Sequence, residues 1–184
     1  MRRLTTFALA AAATAAGLAG SAFGQGDPYK AQIDQAKQLR LNGDTAQSTQ
    51  IVRGVLAKNP RDFRANYTKG LLELDQGASA AAVSTLNSAI AGLKGKPAPD
   101  PTIYNTLGYA LMNQGRLDEA ARAFQKGYAA RGSLSRDSQQ KLLNNMSLLY
   151  RLKGDQASSK AYLSLAAQAG SPQAKVNITR AAAR

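Results

Sequence analysis

A regular spacing of glycines constrains the fold of this chain more than any other feature of its sequence. Four glycines recur at intervals of 34, 38 and 39 residues, in short polar segments: Gly43, Gly77, Gly115 and Gly154. The apolar residues around them follow the three-and-four spacing of helices, and no useful length of the chain alternates as a strand would. The repeat therefore predicts a series of helical hairpins, each turning at one glycine, and no β-sheet.

Small residues stand at fixed distances from these glycines. The positions seven before and five after each glycine hold only Ala, Gly or Ser: Ala36, Gly70, Gly108 and Ser147 before, and Ser48, Ala82, Ala120 and Ser159 after. Nine residues after each glycine stands a larger residue, which is Phe124 in the third copy. Helices that face each other through small residues can approach closely, while the larger residue fills the gap beside them. We assign this packing role to Gly70, Ala82, Gly108, Ala120, Phe124, Ser147 and Ser159.

Residues 101–131 hold the most complete copy of the pattern. One face of the first helix carries Tyr104, Leu107, Gly108 and Leu111, and one face of the second carries Ala120 and Phe124. This arrangement resembles the tetratricopeptide repeat (TPR) pattern W-x2-L-G-x2-Y…A-x3-F, with Tyr in place of Trp and Leu in place of Tyr. Because one such hairpin cannot bury its own apolar face, the resemblance implies an all-α, right-handed α-α superhelix (solenoid) of about four hairpins.

Prolines and capping residues delimit the predicted repeats, which cover about 29–60, 63–96, 101–132 and 137–171. A short helix at 172–182 is predicted to cap the array, since terminal repeats need a polar outer face. Lys175, Asn177 and Arg180 suit that face, and Val176 and Ile178 are the candidates to pack inward. An irregular helical bundle with an accidental period is the alternative to this organisation.

The first 24 residues have the composition of a secretory signal peptide. Two arginines follow Met1, a run of 16 mostly Ala residues comes next, and small residues precede Gln25. This pattern predicts cleavage between Gly24 and Gln25, a mature domain of residues 25–184, and a periplasmic or secreted location. An uncleaved membrane anchor is the alternative, but a span needs about 20 strongly apolar residues.

The chain is strongly basic, with 24 Lys and Arg against 11 Asp and Glu and a formal net charge of +13. Such a field favours acidic partners, and a cationic binder of nucleic acid or of an anionic polymer is one interpretation. The basic residues are scattered rather than gathered in a block, which is typical of a solvated surface. Nucleic acid is therefore not the partner that we predict.

The absence of His, Cys and Trp limits the chemistry available to this chain. It excludes Ser-His and Cys-His nucleophilic pairs as well as imidazole and thiolate metal sites. The adjacent Asp118 and Glu119 begin a predicted helix, where their charge complements the helix dipole. We therefore predict no enzyme, no catalytic residue, no metal and no cofactor, with a carboxylate-based hydrolase as the remaining enzymatic alternative.

The tetratricopeptide resemblance also implies where a partner would bind. In this family the first helix of each hairpin lines a concave groove that receives a peptide or a protein surface. Carried over by position, the peptide-binding groove consists of Arg64, Tyr67, Leu71, Asn105, Tyr109, Met112, Asn113, Lys141, Asn144, Leu148 and Arg151. Aromatic, Met, amide and cationic side chains together suit a protein or peptide with acidic and apolar side chains. The alternative role for each residue is packing between helices.

A second resemblance concerns the fourth copy and the C-terminal helix. Residues 142–150, the Gly154-Asp155 pair and residues 171–177 are similar to the assembly protein of tight-adherence pili. This similarity implies a non-enzymatic protein–protein interaction scaffold in the bacterial envelope, acting in pilus or secretion-system assembly.

The predicted signal peptide leads to a direct test. N-terminal sequencing of the protein recovered from its producing cells is expected to begin at Gln25. Intact Met1 in a membrane fraction would show that the segment anchors the chain instead.

Overall fold

A computed structural model describes residues 27–93 and 101–182 of the chain. Within these residues the regular structure is nine α-helices and one 3-10 helix (Arg131–Ser133), with no β-strand. The α-helices are α1 (Lys30–Leu41), α2 (Thr45–Lys58), α3 (Phe63–Asp75), α4 (Ser79–Ala91), α5 (Thr102–Asn113), α6 (Leu117–Ala129), α7 (Arg136–Leu152), α8 (Gln156–Gln168) and α9 (Pro172–Ala182). None of these helices combines the length and hydropathy that crossing a membrane requires. The predicted signal peptide and residues 94–100 lie outside the described residues.

Each of the four glycines that the sequence pattern singled out forms a turn between two helices. Gly43, Gly77, Gly115 and Gly154 have φ angles of 87°, 74°, 70° and 79°. Residues with a Cβ rarely adopt this left-handed backbone conformation, whereas glycine adopts it readily. A glycine in this conformation commonly ends a helix. The next helix then starts at once, and after two of these glycines an aspartate caps it by accepting a backbone N–H bond.

The helices pair as successive antiparallel hairpins, α1–α2, α3–α4, α5–α6 and α7–α8, and α9 packs against α8. Each odd-numbered helix also contacts the next one, as α1 does α3, α3 does α5, and α5 does α7. The odd-numbered helices therefore line the inner side of the array. The prediction of an all-α superhelix of four hairpins with a C-terminal capping helix is confirmed.

The two helices of the middle hairpins approach so closely that glycine is required on one of them. A Cβ added to Gly108 would lie 2.6 Å from Phe124 Cδ1, and one added to Gly70 would lie 2.8 Å from Leu86 Cγ. Phe124 and Leu86 are fully buried, so their side chains fill the space that the glycines leave. In these hairpins the backbone of one helix is itself part of the core.

The first and fourth hairpins use serine at the same close contact and add hydrogen bonds across it. Ser48 Oγ donates to the Ala36 carbonyl at 2.8 Å. The Ser147 hydroxyl donates to the Ser159 carbonyl, and the Ser159 hydroxyl to the Ser147 carbonyl, both at 2.9 Å. Because these serines are buried, their hydroxyls need such partners.

The C-terminal helix packs differently from the sequence expectation. Val176 and Ile178 are 45% and 39% exposed, whereas Ala174 is fully buried against Leu143 and Ala166. The expectation that Val176 and Ile178 pack inward is therefore wrong. The small Ala174 makes the contact where α9 packs against α8. Asn177, assigned to the outer face, is half-buried instead.

Substitution by alanine is expected to have opposite effects on stability at Gly108, which packs against Phe124, and at Gly54, which has open space beside it. Gly108→Ala is expected to destabilise the chain by about 1–3 kcal/mol, because the buried Phe124 ring must move. Gly54→Ala, on the open side of α2 with no atom within 4 Å, is expected to stabilise it by about 0.5–1 kcal/mol. Urea unfolding of both variants checks this, and equal shifts would contradict the proposed close packing.

The reciprocal serine bonds predict a second difference in stability. Ser147→Ala removes one buried hydrogen bond and is expected to cost about 0.5–1.5 kcal/mol. Ser164→Ala, at an exposed position of α8, is expected to leave stability unchanged or slightly raised, since alanine is the better helix former. The midpoints of urea unfolding measure both. A Ser147→Ala variant as stable as the parent would show that the buried bonds contribute nothing.

Candidate protein-binding surface

The inner-helix surface consists of the side chains that α1, α3, α5 and α7 present away from α2, α4, α6 and α8. Of the eleven predicted groove residues, Tyr109, Asn113, Lys141 and Arg151 are exposed. Six are half-buried: Arg64, Tyr67, Leu71, Asn105, Asn144 and Leu148. Met112 is buried within the main apolar core, where its side chain packs among the helices. That these residues contact a partner remains a prediction.

Two of the predicted groove residues, Tyr67 and Asn105, link one repeat to the next. The Tyr67 and Thr106 hydroxyl groups are hydrogen-bonded at 3.2 Å between α3 and α5. The Asn145 amide donates to Asn105 Oδ1 at 3.0 Å between α7 and α5. Residues about 40 apart in sequence thus meet at the same level of neighbouring inner helices. These bonds fix the spacing of the inner helices, so this part of the surface is held in place before any partner arrives.

Two predicted groove cations are already paired with carboxylates. Arg64 Nη1 lies 2.6 Å from Asp27 Oδ2, and Lys141 Nζ lies 2.6 Å from Asp137 Oδ2. Both pairs are solvent-accessible and therefore stabilise the fold only weakly. Their charges are partly neutralised within the chain, which reduces what they offer to an acidic partner.

The side chains of Tyr109, Asn113 and Arg151 make no polar contact with other described residues, so they are available to a partner. Tyr109 is 40% exposed at the middle of α5. Asn113 follows it by one helical turn and lies on the same side of α5. An accessible aromatic ring and Arg are residue types often found at the centre of protein interfaces.

A cleft of about 660 Å³ lies between α7, α8 and α9, and we call it the C-terminal cleft. Helix α7 contributes Asn144, Asn145, Ser147, Leu148 and Arg151. The opposite walls are Gln156, Ser159, Lys160 and Leu163 of α8, and Gln173 and Asn177 of α9. The structure therefore brings three predicted groove residues, Asn144, Leu148 and Arg151, together with two predicted packing serines.

The cleft lies where α9 packs against the fourth hairpin. Asn144 Nδ2 donates to Ser171 Oγ at 2.9 Å, and Gln140 Nε2 to the Ala169 carbonyl at 2.7 Å, which ties the start of α9 to α7. Between Pro172 and Thr179, Ala174 is the one residue of α9 that is fully buried. The space beside Leu148 and Leu163 thus remains open.

The cleft is positively charged and rich in amides. Arg151 and Lys160 form no ion pair with any residue that the structure describes, and no carboxylate lines the cleft. Asn144 Oδ1 is buried and has no hydrogen-bond partner among the described residues. Gln173 and Asn177 bond to each other at 3.2 Å, which still leaves Gln173 an acceptor and Asn177 a donor.

The acidic residues explain why these cations stay unpaired. Of the 11 acidic residues, all except Asp100 lie in the described part of the chain. Each of those either forms an ion pair or caps a helix. Hydrogen bonds from Lys30, Lys153 and Arg116 lower the pKa values of Asp34, Asp118 and Glu119 respectively. These three carboxylates are therefore ionised at neutral pH, and no acidic side chain of the described residues lines the cleft.

A second, smaller cleft of about 240 Å³ lies between α4, α5 and α6. Its cations are more occupied than those of the C-terminal cleft. Arg116 binds both oxygens of Glu119 at 2.7 Å, and Lys126 Nζ lies 5.9 Å from the centre of the Tyr104 ring. Only Arg122 lacks a direct contact of this kind. This cleft offers an acidic partner less unpaired charge.

Sequence reasoning missed the walls that α8 and α9 contribute, because it considered only inner helices. Gln156, Lys160 and Leu163 are four and three residues apart, and therefore share one face of α8. Gln173 and Asn177 share a face of α9 in the same way. The polar residues at helical spacing in the fourth hairpin and in the capping helix could have indicated these walls from the sequence.

Comparisons with known proteins agree with this architecture. Residues 101–132 match the family model of the tetratricopeptide repeat. No curated protein sequence matches the chain. The sequence-based recognition of a tetratricopeptide repeat is confirmed at residues 101–132 by the family match, and solved tetratricopeptide structures share the fold of the chain.

Three similar solved structures share the fold of this chain, as their TM-scores show, although they are only 14–20% identical to it. PilF from Pseudomonas aeruginosa matches over 76% of this chain and 60% of its own, with 18% identity and a TM-score of 0.65. A chain of the APC/C hetero-tetramer Cut9-Hcn1 matches over 82% and 29%, with 14% identity and a TM-score of 0.71. MamA from Desulfovibrio magneticus RS-1 matches over 75% and 73%, with 20% identity and a TM-score of 0.60. This chain thus spans less than two thirds of the length of the PilF chain and of the Cut9-Hcn1 chain.

Proposed function

We propose that this tetratricopeptide-repeat chain is a non-enzymatic scaffold that binds a partner protein along its inner-helix surface. The repeat at residues 101–132 and the fold shared with PilF and MamA support a protein–protein interaction scaffold. The observation that carries the proposal is the open inner-helix surface itself. Tyr109 is exposed at its centre, and the C-terminal cleft continues it at one end.

The surface favours a partner with acidic and apolar side chains. Leu71 and Leu148 are half-buried and offer apolar contact, while Arg151 offers an unpaired charge. An interface of this kind gains most of its affinity from a few aromatic and Arg anchors surrounded by weaker contacts. Tyr109 is therefore the residue whose loss should matter most.

The proposal extends to the bacterial envelope, with the mature chain in the periplasm or secreted. The predicted signal peptide supports this location, and the similarity of residues 142–150 to a pilus assembly protein supports a role in pilus or secretion-system assembly. A scaffold in such a pathway would hold one component while another is added.

A cationic binder of nucleic acid or of an anionic polymer is the second candidate. The net charge of +13 favours it. Binding of this kind depends on total charge and weakens steeply with salt, because counterions are released when phosphates are neutralised. No described pair of free carboxylates supports the carboxylate-based hydrolase.

The scaffold proposal predicts an unequal effect of two exposed residues. Tyr109→Ala is expected to reduce recovery of a partner protein, since truncating a hot-spot residue costs about 2 kcal/mol, or about thirtyfold in affinity. Leu165→Ala is the control, because Leu165 is 37% exposed on the outer helix α8. The measurement is capture from an extract of the source organism by wild-type chain and both variants, quantified by mass spectrometry at two salt concentrations.

Two results would contradict the scaffold proposal. One is capture of nucleic acid rather than protein, lost from all three chains at moderate salt. The other is equal recovery of every captured protein by wild-type chain and Tyr109→Ala. Circular dichroism of each variant establishes that it is folded before its recovery is compared.

A further inference from the structure

We infer that the C-terminal cleft is a recognition site for an extended segment of a partner protein that carries acidic and apolar side chains in alternation. The acidic side chains would pair with Arg151 and Lys160, and the segment's backbone would bond to the cleft amides. The inference rests on the proposed scaffold function and assigns the partner's chemistry to one place.

The size of the cleft suits a short peptide segment. Its volume of about 660 Å³ lies within the range of about 300–1,000 Å³ found for sites that bury small ligands. That is room for a few residues of extended chain rather than for a folded domain or a whole helix. The smaller cleft between α4, α5 and α6, at about 240 Å³, is below that range.

The charge of the cleft identifies the side chains that it recognises. Arg151 and Lys160 face one cavity with no carboxylate in its lining. In the smaller cleft, by contrast, Glu119 already occupies Arg116. Every carboxylate side chain in residues 27–93 and 101–182 is engaged elsewhere, so an acidic segment of a partner would complement the unpaired charge of the C-terminal cleft.

The amides of the cleft match the backbone of an extended chain. Asn177 retains a donor and Gln173 an acceptor after their mutual bond, and the Gln156 side chain makes no polar contact with a described residue. An extended segment presents N–H and C=O groups that its own structure leaves unpaired, so it needs donors and acceptors together. A phosphodiester polyanion presents mainly acceptors, so it would use the cations of the cleft but not the acceptor of Gln173.

Two leucines of the cleft provide the contact for the apolar side chains of the bound segment. Leu148 of α7 and Leu163 of α8 line the cleft beside the cations, and both are half-buried. Successive residues of an extended chain point to opposite sides. A segment in which acidic and apolar residues alternate can therefore direct its carboxylates toward Arg151 and Lys160 and its apolar side chains toward the leucines.

The test uses the full chain and a random octapeptide library displayed on phage. Selection against the wild-type chain is expected to enrich peptides that alternate Asp or Glu with apolar residues. An enriched peptide is then synthesised with acetylated and amidated ends, and its affinity is measured by fluorescence anisotropy. Arg151 and Lys160 are both exposed. The double variant Arg151→Ala, Lys160→Ala is expected to bind the peptide at least about tenfold more weakly.

Two further variants keep the result interpretable. Arg53→Ala, Lys58→Ala removes the same charge from exposed positions of α2 and is expected to change affinity less than about twofold. Arg151→Glu, Lys160→Glu is expected to lose the acidic peptide and to bind its counterpart in which Lys replaces each acidic residue. Recovery of binding by this exchange cannot arise from general destabilisation.

Several outcomes would overturn the inference. The first is that the selected peptides contain no acidic residues. The second is that the α2 variant and the cleft variant weaken peptide affinity equally. The third is that binding requires a free terminal carboxylate on the peptide. The scaffold proposal is judged separately by Tyr109→Ala. A partner lost with Tyr109→Ala but kept by Arg151→Ala, Lys160→Ala would leave the scaffold standing and place recognition outside the cleft.

Discussion

The close approach of two helices within each hairpin is the contact on which the rest of this structure depends. In the third hairpin Gly108 lets the Phe124 ring lie against the backbone of α5, and in the fourth Ser147 and Ser159 exchange hydrogen bonds with each other's carbonyls. A larger residue at either place would separate the helices. Because each hairpin stacks on its neighbour, such a separation would be passed along the array as misalignment of the inner helices.

Alignment of the inner helices matters because it creates the surface available to a partner. The Tyr67–Thr106 and Asn145–Asn105 bonds join neighbouring repeats and hold their spacing. Between these fixed points Tyr109 remains exposed. A surface that is ordered before binding loses less conformational entropy when a partner arrives, which favours affinity at a given contact area. Packing and recognition thus use neighbouring residues of the same helices.

Unpaired positive charge is not spread evenly over the described surface. Acidic residues are few, and those described are engaged in ion pairs or helix caps. The surplus of positive charge therefore concentrates wherever cations lack such neighbours, as Arg151 and Lys160 do in the C-terminal cleft. An overall basic chain attracts acidic molecules from a distance, but the cleft adds amides and leucines that a simple polyanion does not require. Specificity then comes from the cleft and encounter rate from the whole chain.

The sequence by itself determined the hairpins, their turns and their closest contacts, since a left-handed turn and a close backbone approach each restrict one position to a few residue types. The glycine spacing indicated the first two hairpins even though exposed Gln35 and Lys69 stand at the position that Leu107 holds in the third, eight residues before the turn glycine. What only the tertiary structure decided is which polar residues meet and which remain free. Met112 is buried in the core, Arg64 is paired with Asp27, and α9 packs through Ala174 rather than through Val176 and Ile178. These outcomes depend on the distances between separate helices, which no local spacing specifies, and the C-terminal cleft exists only because α9 leaves that space unfilled.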